Sequence, residues 1–280
     1  MQYRAFGRLD FRPSALGFGA MRLPVQRGED GKPDFKRIDD DLATAMLHRA
    51  VDGGVNYVDT AWMYHEQSSE TWLGRALQGG WRERVRLATK MPVWDVERPG
   101  DFDRILGVQL ERLQTDHIDF YLLHSLDADH WRCVVEQDQL ASAERALADG
   151  RIGHLGFSFH GTPEDFETIL AATDLWEFVQ IQYNYMDEEY QAGRRGLETA
   201  AAKGLGVIVM EPVRGGAKVL LDLLHRAHAA QQERHLGVVP DPLQRPFGGG
   251  PPDRRLVPHR LDLRRHAAGQ GAAADPGGVG

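Results

Sequence analysis

Short apolar runs alternating with longer segments of helical period are what most restrict the fold of this chain. The runs are LGFGAM (16–21), VNYVDT (55–60), VRLATK (85–90), IDFYLLH (118–124), IGHLGFSF (152–159), FVQIQYN (178–184) and GVIVME (206–211), and each reads as a buried strand. Between them, residues 39–52 place Leu42, Met46 and Ala50 on one stripe with Leu47 and Val51 beside it, and Asp39 or Asp40 stands where a cap belongs. Residues 101–113 gather Phe102, Ile105, Leu106, Leu110 and Leu113 on one side, with Asp101 as a candidate N-cap. Further helices are predicted at 66–78, 136–149, 163–172 and 190–203, and Gly53, Gly79, Gly150 and Gly204 mark helix ends. Ahead of this rhythm, Tyr3–Phe6 and Phe11–Ser14 flank the turn Gly7–Asp10 and suggest a β-hairpin.

Buried strands joined by helices imply a parallel sheet, and seven such units in about 200 residues favour an α/β fold of the (β/α)8 TIM-barrel class. An open doubly wound sheet is the alternative. Against it, the first run, LGFGAMR, lacks the Gly-x-Gly-x-x-Gly that opens a dinucleotide-binding unit of that kind. The pattern stops where an eighth strand is due. From residue 219 to 280 there is no Ser, Thr, Lys, Ile, Tyr, Trp, Asn, Met or Cys, and Phe247 is the sole aromatic. The expectation is a barrel over residues 1–218, incomplete at its C-terminal end, and an Arg/Gly/Pro/Ala-rich tail over 219–280, largely disordered beyond a helix near 218–232. Such a composition suits either a coding region read in the wrong frame or a genuine basic, flexible tail.

A formal charge of -8 over 280 residues argues against nucleic acid or an anionic membrane as partner, since both require excess Lys and Arg; a small molecule fits better. The lone Cys133 excludes an internal disulfide framework and any four-cysteine metal or iron–sulfur site, and suits a reducing cytoplasm. No stretch approaches the ~20 apolar residues of a membrane span, and MQYRAFGRLD lacks the apolar core of a signal peptide. Cytoplasmic location is therefore expected. The oligomeric state is not legible.

In a barrel of this class the working residues stand at the C-terminal strand ends. Those positions hold Asp59, Lys90 and His124, and Tyr64 lies five residues past Asp59 on the same loop. Each has an ordinary structural reading: a helix cap, a loop aromatic, a solvated strand end, a satisfied polar residue under a loop. Together they make a complete set for carbonyl reduction. A tyrosine of pKa about 10 is a poor acid at neutral pH, and an ammonium beside it favours the phenolate. Lys90 is placed to lower that pKa, Asp59 to hold the lysine, and His124 to hydrogen-bond the substrate oxygen. His65, His124 and His160 with Asp59 offer a weaker metal reading, but no His-x-His pair lies on a strand and Lys90 would compete with a cation, so no metal site is predicted. Trp62, Trp94 and Trp131 on strand-following loops are candidate walls of a substrate pocket, or loop packing.

The segments GFGAMRLP, NYVDTAWMYH, LATKMPVW, YLLHSL, GFSFH, QIQYNYMDEEYQAG and VIVMEPVRGG resemble the aldo-keto reductase family over residues 1 to about 218. The resemblance implies catalytic Asp59, Tyr64, Lys90 and His124, and an NADP(H) cofactor, with NAD(H) the alternative, bound without a Rossmann fold. Its cofactor contacts carry over to Gly19, Ala20, Met21, Asp59, Ser158 and Gln180, and the loop over the pyrophosphate to Glu211, Pro212, Val213, Arg214 and Gly215. Two departures stand out: Phe159 occupies a position where many members have Asn, and Met210 one where many have an aromatic that stacks on the nicotinamide; methionine can also cover a ring face. QIQYNYMDEEYQAG and MEPVRGG point to a bacterial branch whose longer members carry a C-terminal ferredoxin-like iron–sulfur segment, absent from this sequence. The family's seat for the adenosine end has no match in 219–280, which implies weak cofactor binding and low stability. The second functional class is a barrel that binds a nucleotide or partner without turnover, or an inactive truncated product.

Overall fold

The computed structural model describes residues 1–185 and 187–213, all within one compact unit. The elements run β1 (Phe18–Gly19), β2 (Val25–Arg27), β3 (Pro33–Ile38), α1 (Asp40–Asp52), β4 (Tyr57–Asp59), α2 (Ser69–Ala76), β5 (Arg86–Met91) and α3 (Asp101–Leu113). There follow β6 (Ile118–Leu126), α4 (Ala128–Glu136), α5 (Gln139–Ala148), β7 (Ile152–Phe159), α6 (Pro163–Ala171), β8 (Phe178–Gln182), α7 (Gly193–Ala202) and β9 (Gly206–Met210). Seven strands make one parallel sheet in the order β1-β4-β5-β6-β7-β8-β9, the curled wall of the predicted barrel, and every apolar run read as a strand is one of them. The expected helix near 218–232 and the tail to 280 lie outside the described residues.

The strand period of two decides what fills the interior. Tyr57, Ala88, Phe120, Leu122 and Phe178 form an inner apolar cluster with Phe6. Two residues further along the same strands come Asp59 after Tyr57, Lys90 after Ala88, His124 after Leu122 and Gln180 after Phe178. The interior is thus apolar towards the N-terminal strand ends and polar towards the C-terminal ends. The outer faces of the strands pack on the helices in a second, larger core that includes Leu47, Trp72, Leu106, Tyr121, Phe157 and Trp176.

The N-terminal turn closes the apolar end. Phe6 is buried against Phe120 and Phe178 at ring separations of 5.7 and 6.0 Å, and Arg8 N–H donates to Gly204 O at 2.8 Å. Gly7 has φ +55, and a Cβ there would stand 2.4 Å from Gly204 O, so both the backbone angle and the approach require glycine.

Three expectations need correction, and two elements are additional to them. The N-terminal hairpin is reduced to isolated bridges, Tyr3 to Ser14 and Phe6 to Leu9, because Pro13 has no N–H to extend a ladder. A hairpin, β2–β3, stands instead after β1; its residues are mostly exposed, so no apolar run announces it. α1 buries Ala43, Leu47 and Val51 while Leu42 and Met46 are 51% and 45% exposed, since the neighbouring row with the smaller Ala43 faces the sheet. The helix predicted at 136–149 is α5 (Gln139–Ala148), and α4 (Ala128–Glu136), which no expectation covered, precedes it across Asp138 in the left-handed conformation. Asp39 does cap α1, accepting from Leu42 N–H, whereas Gly100 takes the cap position of α3 and Asp101 folds back on Glu97 and Arg98 N–H.

Candidate active site

β4 ends at Asp59 while β5 continues to Met91, and the gap this opens above Ala88 is where Lys90 works. Lys90 is 1% exposed. Its Nζ donates to Asp59 Oδ1 at 2.6 Å, to Thr60 O at 2.7 Å and to Tyr64 Oη at 3.4 Å, so all three of its protons are matched. Asp59 Oδ2 accepts from Gln180 Nε2 at 3.3 Å. Asp59, Tyr64 and Lys90 therefore form one hydrogen-bonded unit. His124 closes it from β6, its ring 6.2 Å from that of Tyr64 and nearly perpendicular to it.

Tyr64 owes its place to an unusual turn. His65, Glu66 and Gln67 all take left-handed φ, +51, +50 and +73, which costs each a non-glycine penalty of about 1 kcal/mol or more. The β2–β3 region holds this turn: His65 Nε2 accepts Leu23 N–H at 3.0 Å, His65 Nδ1 donates to Phe35 O at 2.9 Å, and Ser68 Oγ donates to Lys36 O. Behind it, Ser69 Oγ meets Thr60 Oγ1 at 2.9 Å and donates to Ala20 O at 3.2 Å.

Burial raises the Tyr64 pKa; Lys90 pulls it down and Asp59 pushes it up, and the sum stays above the ordinary value. The lysine acts in the expected direction, but desolvation outweighs it. For Lys90 itself burial disfavours the charge, yet Asp59 and Tyr64 more than restore it, so the ammonium is held. Burial, with Lys90, His160 and His130 adding to it, keeps His124 well below the usual imidazole range. Its Nδ1 is buried with no described partner, which leaves Nε2 as the nitrogen open to the cavity.

These groups open on a cavity of about 1020 Å³. Asp59, Tyr64 and His124 line it, with Lys90 beneath the surface. Of the residues expected at a cofactor, Gly19, Met21, Gln180, Met210, Glu211, Pro212 and Val213 line the same cavity. Ala20 and Ser158 do not: Ala20 is fully buried, and Ser158 Oγ, 1% exposed, accepts Ser125 N–H at 2.7 Å. Arg214 and Gly215 lie outside the described residues. Of the three tryptophans only Trp94 reaches the cavity, tilted over His124 and His130 at 5.4 and 5.3 Å. Trp62 lies under the Arg112 guanidinium at 4.0 Å, and Trp131 leans on Trp176, so both take the packing role. Met63, His130 and Arg22, which the sequence did not single out, also line the cavity, as does His160, considered there only as a metal ligand; the loop after the fourth apolar run, HSLDADH, was the one available signal for His130. Among the described residues no three His, Cys, Asp or Glu gather to hold a metal, and His65 has both ring nitrogens committed to backbone.

Two features fit a nicotinamide. Gln180 Oε1 is buried without a described partner beside Asp59, free to accept from a carboxamide. The space beside Gly19 is empty to 4 Å, which allows a ligand close to the backbone at the end of β1.

Comparison with known proteins places this geometry. An uncharacterised oxidoreductase of Bacillus subtilis, YrpG, is 31% identical over 241 residues, covering 77% of this chain and 68% of its own length. The human aflatoxin B1 aldehyde reductase member 2 is 29% identical over 191 residues, 65% of this chain and 51% of that protein. Among solved structures, an aldo-keto reductase of Bacillus halodurans superposes with TM-score 0.62 at 26% identity, over 77% of this chain and 68% of that one. One from Klebsiella pneumoniae in complex with NADPH gives 0.58 at 25%, over 75% and 67%. The aldo/keto reductase family model matches residues 15–236, and this chain, in which Asp59, Tyr64 and His124 line one cavity above Lys90, belongs to the aldo/keto reductase family.

Proposed function

We propose that this chain interconverts a small aldehyde or ketone and its alcohol with a nicotinamide cofactor, NADP(H) in preference to NAD(H). The supporting observation is Lys90 Nζ held between Asp59 Oδ1 and Tyr64 Oη under a cavity that His124 also lines. Gly19, Met21, Gln180 and Met210 to Val213 would hold the cofactor. When bound, the nicotinamide supplies the hydride that the carbonyl carbon takes up.

The chain's own residues handle the proton. Tyr64 Oη–H gives its proton to the carbonyl oxygen as that oxygen gains charge, and the C=O double bond becomes C–O–H. Lys90, fixed as an ammonium, stabilises the phenolate left behind. Asp59 keeps the lysine charged and aimed. Neutral His124, with its proton on Nε2, donates to the same oxygen and orients it. Trp94, Met63 and His130 give the substrate a partly apolar wall. Residues 1–218 form the catalytic barrel, and the cytoplasm is its compartment.

The test is NADPH oxidation with a reactive aldehyde. Tyr64→Phe is expected to abolish turnover and leave NADPH binding, followed by cofactor fluorescence, unchanged. A parent chain without measurable turnover would remove the proposal and favour a barrel that binds without catalysis.

A further inference from the structure

Directly outside the Lys90 strand lies a polar cluster that the chemistry above does not use. Glu70 on α2, Thr89 on β5 and Gln109 on α3 are each 0% exposed, and Tyr121 on β6 is buried with them. Glu70 Oε1 accepts from Thr89 Oγ1 and from Gln109 Nε2, both at 2.7 Å, and Glu70 Oε2 accepts from Arg112 at 3.2 Å. Gln109 Nε2 also donates to Lys90 O at 3.0 Å, while Tyr121 Oη donates to Gln109 Oε1 at 2.5 Å.

The Lys90 carbonyl explains why the cluster exists. Along the β4 side of β5, Thr60 N–H takes Ala88 O at 2.9 Å, and there β4 stops. The next carbonyl on that side is that of Lys90, which has no strand to receive it; a buried carbonyl without a donor costs about 1–3 kcal/mol. Gln109 supplies the donor from a neighbouring helix. The amide is itself fixed at three points: its nitrogen on Glu70 and on Lys90, its oxygen on Tyr121. Glu70 also belongs to the helix that follows the Tyr64 turn, one residue after Ser69, which ties that turn to Thr60 and Ala20.

We propose that Gln109, braced by Glu70 and Tyr121, is a positioning residue that sets the height of Lys90 in the barrel and so its distance from Tyr64 Oη. The proposal rests on the reading of Lys90 and Tyr64 as the reacting pair. Without the Gln109 donor the Lys90 carbonyl turns to find another partner, and the ammonium moves off the phenol.

Gln109→Met keeps the side-chain length and removes the donor. Two readouts apply to the full chain. One is the Tyr64 phenolate titration, followed by near-ultraviolet absorbance as the difference between each chain and its Tyr64→Phe counterpart; it needs no turnover. The other is kcat for aldehyde reduction against pH. The titration of Tyr64 is expected to move to higher pH, because the lowering influence of Lys90 weakens, and kcat is expected to fall about tenfold with NADPH affinity unchanged. A titration that does not move and a kcat within about twofold of the parent would overturn the proposal and leave the cluster as packing, which lowers the melting temperature alone. Should Gln109→Met fail to fold, Tyr121→Phe removes only the hydroxyl that orients the amide; a smaller upward shift supports the proposal and an unmoved titration overturns it. An inactive parent chain with a titration that shifts in Gln109→Met would sink the catalytic reading and keep the positioning role.

Discussion

Replacing Lys90 by Met tests whether the centre of the barrel depends on one buried ion pair. The pair is separated by 2.6 Å, with side-chain exposures of 1% for Lys90 and 13% for Asp59. At an effective dielectric constant of about 20, charges at that distance attract by about 6 kcal/mol, an upper bound because both ions lose hydration on burial. Methionine fills nearly the same space, so cavity formation adds little. What remains is a carboxylate with Gln180 Nε2 at 3.3 Å as its other described side-chain partner. Stranding one partner of a buried pair costs about 3–5 kcal/mol, and the residual solvent contact of Asp59 argues for the lower end, about 3 kcal/mol. Adding Asp59→Asn removes the stranded charge but not the loss of the Lys90 donor to the buried Thr60 carbonyl, so the double variant is expected to recover part of the loss and to lie about 1–2 kcal/mol below the parent. Urea unfolding followed by tryptophan fluorescence measures both. A loss below about 1 kcal/mol for Lys90→Met, or a double variant no better than the single one, would show the pair to be solvent-screened and refute the reasoning.

Other expectations follow from single contacts. His124 is held well below the usual imidazole pKa, so on acidification the unfolded chain takes up a proton that the folded chain refuses. Its contribution to stability is present above about pH 6.5 and falls away below it, and His124→Asn should flatten that part of a stability–pH curve; an unchanged slope would count against a buried neutral imidazole. Gly74→Ala puts a Cβ 2.3 Å from Arg112 O where α2 crosses α3, which should cost about 1–3 kcal/mol in denaturant melts, and a neutral result would mean the helices separate freely. Gln114 ends α3 at φ +53, so Gln114→Gly should gain about 1 kcal/mol; a loss would show that the side chain holds something.

The parts of the fold legible in the sequence are those buried on both sides. Val85–Lys90 and Ile118–His124 carry enough apolar residues to announce strands without help from their neighbours. Asp59, Lys90 and His124 were legible because strand ends in a barrel converge, and Tyr64 because it follows so closely. The β2–β3 hairpin stayed hidden: its residues face solvent, and what it supplies to the Tyr64 turn is backbone oxygen and N–H, which no residue type advertises. The three tryptophans read alike, yet Trp94 alone opens on the cavity, because loop position does not determine where a side chain turns. The sign at Tyr64 was equally out of reach, since it is the balance of burial against Lys90, and only the first of these depends on the whole assembled barrel.

The closure at Phe6 and Gly7 also bears on how the chain is made. Residues at the very start meet Gly204 and Gly206, about two hundred positions later, and a Cβ on Gly206 would lie 2.5 Å from the Phe6 ring. During synthesis the first turn emerges long before its partners. The Phe6 ring can meet Phe120 and Phe178 once β8 is made, but the seat of Gly7 and Arg8 against Gly204 is complete only after residue 204 has followed. A chain truncated before residue 204 should therefore keep its N-terminal segment sensitive to protease, and one extended well past Met210 should protect it.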